Sequence, residues 1–324
     1  MPKSEKSEKP KELIISGHSI LPGESVELNL MVAKLPSRTP IDIPVFVNRA
    51  KEPGPTLLLL GGLHGDEING VEIVRRIMEQ KYHIPEKGTI ITIPILNIYG
   101  FINFSREVPD GKDVNRSFPG FENGSLASRV AYNLTQEILP HIDVGIDYHT
   151  GGASRTNYPQ IRCDLEDKQN KTLAHIFKAP FTIHSALIKG SLRHTATMMD
   201  KRILIFEGGE SLRLDEYAIK EGIDGFRRIL GSLEMGIPPF SVRSFEKTIE
   251  IHKRKWLRAS EAGLFSSYYY SGDPIKKNQI IGSIADPFGD YEDIIKSPED
   301  GFIIGLNNNP VVNQGDALLH IGFG

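Results

Sequence analysis

Histidine and glutamate stand three residues apart in Gly62-Leu63-His64-Gly65-Asp66-Glu67. In a tight turn entering a helix, that spacing aims an imidazole nitrogen and a carboxylate oxygen at one point. Zinc accepts such a pair, and a catalytic site needs one further protein ligand and an open position for water. Gly61 and Gly65 let the backbone approach closely there. An isolated pair of this kind also arises as a loop cap beside a solvated first-turn acid. The candidate third ligand is His149, in Asp147-Tyr148-His149-Thr150-Gly151-Gly152; its alternative is a satisfied core histidine. Two more groups carry chemistry. Arg106 precedes Asp113-Val114-Asn115-Arg116-Ser117-Phe118-Pro119-Gly120, where the fork of Arg116 and the amide of Asn115 suit a carboxylate. Asn115 and Ser117 would face the same way if this segment is extended. Ile205-Phe206-Glu207-Gly208-Gly209-Glu210 puts Glu207 at the end of an apolar strand, where partial burial suits a carboxylate to proton shuttling. Glu210, beyond the glycine pair, reads as exposed. His184 and His194 flank a glycine-containing loop and are weaker pocket candidates.

The elements that must position these groups follow from periodicity. Glu27 to Val32 and Ile41 to Val47 alternate with period two around a turn-rich stretch, a strand pair whose prolines suit a sheet edge. Thr56 to Leu60 is a continuous apolar run, as in a strand buried on both faces. A helix over Val71 to Met78 places Val71, Val74, Ile77 and Met78 on one face. Strands are predicted again at Thr89–Ile95, Asp143–Tyr148 and Arg202–Phe206. Helices are predicted at Ser125–Leu139, with Ser125 as N-cap, and at Asp215–Leu233, with a break near Gly222. Alternating strands and helices predict an α/β fold with a mixed, mostly parallel sheet between helical layers. His64, Glu67 and His149 then all lie at carboxyl ends of strands, where such sheets gather function.

After Pro238-Pro239 the texture changes to short β-like runs split by glycine-rich turns: Thr248–His252, Ile280–Ile284, Gly301–Gly305 and Leu318–Ile321. The division expected is a disordered tail over 1–12, a catalytic domain over 13–240 and a small all-β, barrel-like domain over 241–324. Of the 324 residues, 39% are hydrophobic and 24% charged, enough apolar material for a sizeable core and against wholesale disorder. A net charge of −3 disfavours phosphate-driven nucleic-acid binding. Tyr268-Tyr269-Tyr270 accordingly reads as packing and not as a base-stacking surface. The single cysteine, Cys163, excludes an internal disulfide and a cysteine-built zinc site, and fits a reducing cytoplasm. No run is long enough for a membrane span.

Taken in order, GLHGDE, the LNIYGF segment at Leu96–Phe101, DGKDVNRSFPG, DYHTGG and IFEGGE resemble the succinylglutamate desuccinylase/aspartoacylase family, which is related to the zinc carboxypeptidases. The resemblance spans roughly residues 43–235. It implies a carboxypeptidase-like three-layer fold and one Zn2+ per chain on His64, Glu67 and His149. It further implies Glu207 as general base and acid, Arg106 polarising the scissile carbonyl, Asn115 with Arg116 gripping a substrate carboxylate, and Asp113 orienting a zinc histidine. The C-terminal segment resembles the barrel-like domain of some members, akin to biotinyl or lipoyl carriers, but lacks a Met-Lys-Met attachment sequence. The expectation is a zinc-dependent deacylase of small N-acyl amino acids, with no nucleic-acid or membrane partner and with homo-oligomerisation left open. A peptide-trimming metallocarboxypeptidase, a silent zinc or metabolite binder, and an interaction protein working through its β domain are the alternatives. The segment Ser154–His194 offers no residue that reads as a specificity determinant.

Overall fold

Alternation of buried and exposed side chains builds the first strands. In the computed structural model, which describes residues 12–236 and 247–323, a small hairpin of β1 (Leu13–Ile15) and β2 (His18–Ile20) precedes the antiparallel pair β3 (Ser25–Lys34) and β4 (Pro40–Arg49). β3 is the edge. β4 is not, yet Pro44 is tolerated because β4 meets its other neighbour only from Phe46 onward. β5 (Glu52–Leu60) is buried on both faces, with Leu57 and Leu59 in one apolar cluster and Leu58 and Leu60 in the other. Next come α1 (Ile68–Glu79), β6 (Lys87–Ile93), the short α2 (Ile98–Ile102) and α3 (Leu126–Asn133). The face α1 buries includes Ile73, Val74 and Ile77, while Val71 and Met78 stay partly exposed.

β7 (Val144–Gly151), β8 (Arg155–Cys163), α4 (Lys168–Phe177), β9 (Phe181–His184), α5 (Leu192–Met198), β10 (Arg202–Glu210) and α6 (Glu216–Ser232) complete this part. β6, β5, β7 and β10 are neighbours and run parallel. Helices α1, α4 and α6 cover one face with Ile73, Phe177 and Phe226, and α3 and α5 cover the other with Val130 and Leu192. The helix expected over Ser125–Leu139 is regular only to Asn133, then widens into a π turn over Leu134–Ile138. No break occurs in α6. Gly222 lies there because it packs against α1: an added Cβ would sit 2.5 Å from Ile73 Cδ1.

The remaining chain holds β11 (Ile249–Ile251), β12 (Lys253–Arg258), β13 (Gly263–Ser267), β14 (Pro274–Ile275), β15 (Ile280–Ala285), β16 (Glu292–Lys296), β17 (Gly301–Asn307), β18 (Val311–Val312) and β19 (Ala317–Phe323). One sheet of this module, β16-β15-β13-β18, is its own. Its other strands continue the central sheet, in the order β12-β19-β17-β8-β10-β7-β5-β6-β4-β3. β17 pairs with β8 and β11 with β9, so the module is hydrogen-bonded to β8, which carries part of the site, and to its neighbour. The boundary expected at 240/241 lies outside the described residues, as do all but the last residue of the expected tail. Tyr269 packs on the module's core, whereas Tyr268 and Tyr270 are exposed.

Candidate active site and metal centre

At the carboxyl ends of β5, β7 and β10, several chain segments converge on one cavity of about 940 Å3. The turn after β5 delivers His64 and Glu67. It can do so because Gly65 lies flat on α2, where a Cβ would fall 1.8 Å from the Gly100 carbonyl carbon. β7 delivers His149. The Nδ1 atoms of the two histidines are 3.2 Å apart, and each is 2.8 Å from a different oxygen of Glu67. All three side chains are buried.

The far side of each ring sets the chemistry. His149 Nε2 donates to Asp147 Oδ2 at 2.8 Å, and His64 Nε2 donates to Asp113 Oδ1 at 3.2 Å. A carboxylate can only accept, so each Nε2 carries a proton, and a cation held between the rings would leave each Nδ1 free to turn a lone pair inward. Two Nδ1 atoms and a carboxylate then face one another. Burial alone would push both rings toward lower pKa, but Asp147 and Glu67 hold His149 well above the usual value, and Glu67 and Asp113 raise His64. Burial likewise opposes ionisation of Glu67, yet the two histidines bring it well below the ordinary carboxylate range. The corner therefore favours positive charge. Protons meet that demand poorly, because two N–H groups cannot point at each other across 3.2 Å. A divalent ion with nitrogen and oxygen ligands fits the donor set. Among the described residues, His64, Glu67 and His149 form the group able to hold a metal.

Arg106 lies beside this corner. Its Nη1 donates to Glu67 Oε1 at 3.1 Å, while Nε and Nη2 hold Asp113 Oδ2 at 3.2 and 2.9 Å. Asp113 is pulled below its usual range despite partial burial, chiefly by His64 and then Arg106. The segment it begins is not extended: Val114–Arg116 forms a 3-10 turn, capped by Asp113 Oδ1 accepting from the Asn115 amide at 2.7 Å. Asn115 and Ser117 thus do not alternate as strand neighbours. Asn115 is buried with its Oδ1 accepting from the Leu192 amide at 2.9 Å, and the exposed Arg116 lines the cavity with it.

Glu207 lies on β10 beside His149 on β7, in register. Asn157 Nδ2 donates to its Oε2 at 2.8 Å and Arg162 Nη1 approaches its Oε1 at 3.0 Å. Contrary to expectation, Glu210 is not exposed; its side chain is 15% accessible and accepts from Asn308 at 2.8 Å. Neither His184 nor His194 lines the cavity.

Several residues at or behind the cavity were not singled out in the sequence. Asp147 lies two residues before His149 on one strand, so both point the same way, and that spacing was the readable signal. Asn157 and Arg162 are on β8 and Arg193 on α5, inside the stretch that read as featureless. Arg254, Trp256 and His320 come from the C-terminal module. His320 stacks on Trp256 with ring centroids 4.5 Å apart; burial, then Arg162 and Arg254, push its pKa down to about 3, so it stands neutral.

A family model described as the succinylglutamate desuccinylase/aspartoacylase catalytic domain matches residues 53–233. The N-alpha-acetyl-L-2,4-diaminobutyric acid deacetylase of Halomonas elongata is 29% identical over 294 residues, covering 85% of this chain and 84% of that protein. The crystal structure of a succinylglutamate desuccinylase/aspartoacylase from Rhodobacter sphaeroides superimposes with a TM-score of 0.80 at 23% identity, over 92% of this chain and 94% of that one. The product-bound structure of the ectoine utilization protein EutE (DoeB) from Ruegeria pomeroyi also gives 0.80, at 22% identity over 93% and 95%. These two structures speak to the fold, the family model to descent. The chain belongs to the succinylglutamate desuccinylase/aspartoacylase family.

Proposed function

We propose that this protein, a member of a family of deacylating hydrolases, is a zinc-dependent deacylase that cleaves the amide bond of a small N-acyl amino acid in the cytoplasm. The observation that carries the reading is the inward-facing Nδ1, Nδ1 and carboxylate set, each ring backed by an acid, in one cavity with Glu207 and Arg106. Zinc held by His64, Glu67 and His149 would supply a Lewis acid that brings the pKa of bound water to about 7.

The chain's own residues do the rest. Glu207 is fixed by Asn157 and Arg162, one bond to each oxygen, and each oxygen keeps a lone pair that can take a proton from water and return it to the departing amine. Arg106 is anchored through Asp113, which aims Nη1 at the metal corner, where negative charge would develop on the scissile oxygen. Arg116 and Asn115 position the substrate carboxylate, and binding energy becomes orientation. The Halomonas relative is named as a deacetylase of an acylated amino acid, which favours this reading over peptide trimming.

The test combines metal analysis with turnover over a panel of acetyl, succinyl and formyl amino acids and short peptides. Purified protein should carry about one zinc per chain, and Glu207→Gln should keep the zinc while losing roughly 10²–10⁴-fold in turnover. Unchanged hydrolysis by Glu207→Gln would remove the base assignment; peptide cleavage without deacylation would replace the substrate class.

A further inference from the structure

Directly after the ligand strand, the chain makes a turn that L-residues disfavour. Ala153 and Ser154 are consecutive non-glycine residues in the left-handed region, at φ 54° and 58°. Such residues persist only where the surroundings over-determine them. The turn matters because Thr150, Gly151, Gly152, Ala153 and Arg155 all line the cavity, and the Thr150 amide donates to Glu67 Oε2 at 3.1 Å. On its inner side the turn is held by the Ser211 amide donating to Gly151 O at 2.9 Å. On its outer side the C-terminal module meets it through the β17–β8 ladder, with Asn307 opposite Arg155 and Leu306 opposite Thr156, and through Asn308 just beyond the end of β17. The Asn308 amide donates to Ser154 O at 2.8 Å, and Asn308 Nδ2 donates to Thr156 Oγ1 at 2.7 Å and to Glu210 Oε2 at 2.8 Å. Asn308 therefore ties three points, two on the strained turn and one at the end of β10, the strand of Glu207.

Asn308 itself is exposed at the end of β17, next to Asn307, which pairs with Arg155. Its bonds bury no apolar surface, so a role in global stability is small. We infer that Asn308 is a positioning residue: the C-terminal module acts as a brace that keeps the 151–156 turn in its left-handed form and so fixes one wall of the substrate cavity. Other Asn308 contacts would be surface decoration if the turn kept its form unaided. The inference rests on the deacylase reading only for its kinetic consequence.

The test uses the full-length, zinc-loaded protein carrying Asn308→Ala, which removes the Nδ2 bonds to Thr156 and Glu210 and leaves the main-chain bond to Ser154. Deuterium exchange of the amides between 151 and 156 should accelerate by about tenfold or more, with a melting temperature within about 2 °C of wild type, as for an exposed substitution. The KM for the preferred N-acyl amino acid should rise about tenfold with kcat within about twofold, the pattern of lost binding-wall order. Glycine adopts positive φ without the penalty, so Ala153→Gly with Ser154→Gly in the Asn308→Ala background should return KM to within about threefold. Unchanged exchange in Asn308→Ala overturns the brace, and so does a melting temperature that collapses together with activity. Failure of the two glycines to restore KM overturns the strain argument. Exchange needs no substrate: a wild type that hydrolyses no acyl amino acid would remove the proposed function, while the exchange rates alone would still decide the brace.

Discussion

His64 and His149 both present Nδ1 inward, and a buried or half-buried acid holds each Nε2. Asp147 is 1% accessible and its bond to His149 is the shorter of the two. Asp147→Asn keeps an acceptor for the ring but removes the charge that raises ligand basicity, so zinc affinity should fall about 10–100-fold, measured by chelator competition. Wild-type affinity in that variant would mean the acid merely fills space. At this scale the sequence was generous with the candidate ligands and sparing with the residues that support them. His64, Glu67 and His149 were legible because glycine-rich motifs end predicted strands. Asp113 was legible through resemblance. Asn157, Arg162 and Arg193 were not, since their roles arise from pairing of β8 with β10 and from packing of α5, which no local spacing encodes.

Among the elements, β5, β6, β7, β10 and α6 were read from apolar runs and helical periodicity, and the structure has them all. The stretch from Ser154 to His194 hid β8, α4, β9 and α5. β8 carries Arg155, Asn157 and Arg162, polar for a strand paired on both sides, because these side chains line the cavity. α4 buries only a narrow face around Leu173, Ala174 and Phe177. α1 yields a prediction about pH. Arg75, then Arg76, bring Glu72 down from 4.5 to about 2 despite burial, and Arg76 continues to Glu216 on α6 at 2.6 Å. A depressed carboxylate stabilises the fold above its unfolded pKa and loses that contribution as pH falls from about 4.5 toward 2. Arg75 is 53% accessible, so screening reduces the worth of the network to about 1 kcal/mol. Glu72→Gln should cost about that much in urea unfolding at pH 7, with the difference shrinking below pH 4; an equal penalty at both ends would rule out the charge effect.

For the molecule as a whole, a net charge of −3 contrasts with a cationic cavity. Arg162, Arg193 and Arg254 line one wall; Arg193 is buried, and its Nη1 has no hydrogen-bond partner. Its pKa falls, first through burial and also through repulsion from Arg162 and Arg254. Two carboxylates meet this group, Glu207 through Arg162 and Asp164 near Arg193. Such a wall attracts anions and repels a side-chain ammonium. N-acyl amino acids with acidic side chains should therefore exceed N-acetyl-diaminobutyrate in kcat/KM by about tenfold or more, and the gap should narrow with salt. Equal rates would show that the arginines face away from the bound side chain.

One feature of the architecture reaches beyond catalysis. Because β17 lies against β8 and β11 against β9, the polypeptide cannot be shortened at the junction between its two parts without stripping partners from both inner strands. The raw flanks left behind would invite other copies to add on, strand by strand. A shortened product would clump before its chemistry could be judged, and the last quarter of the gene guards solubility as well as the pocket.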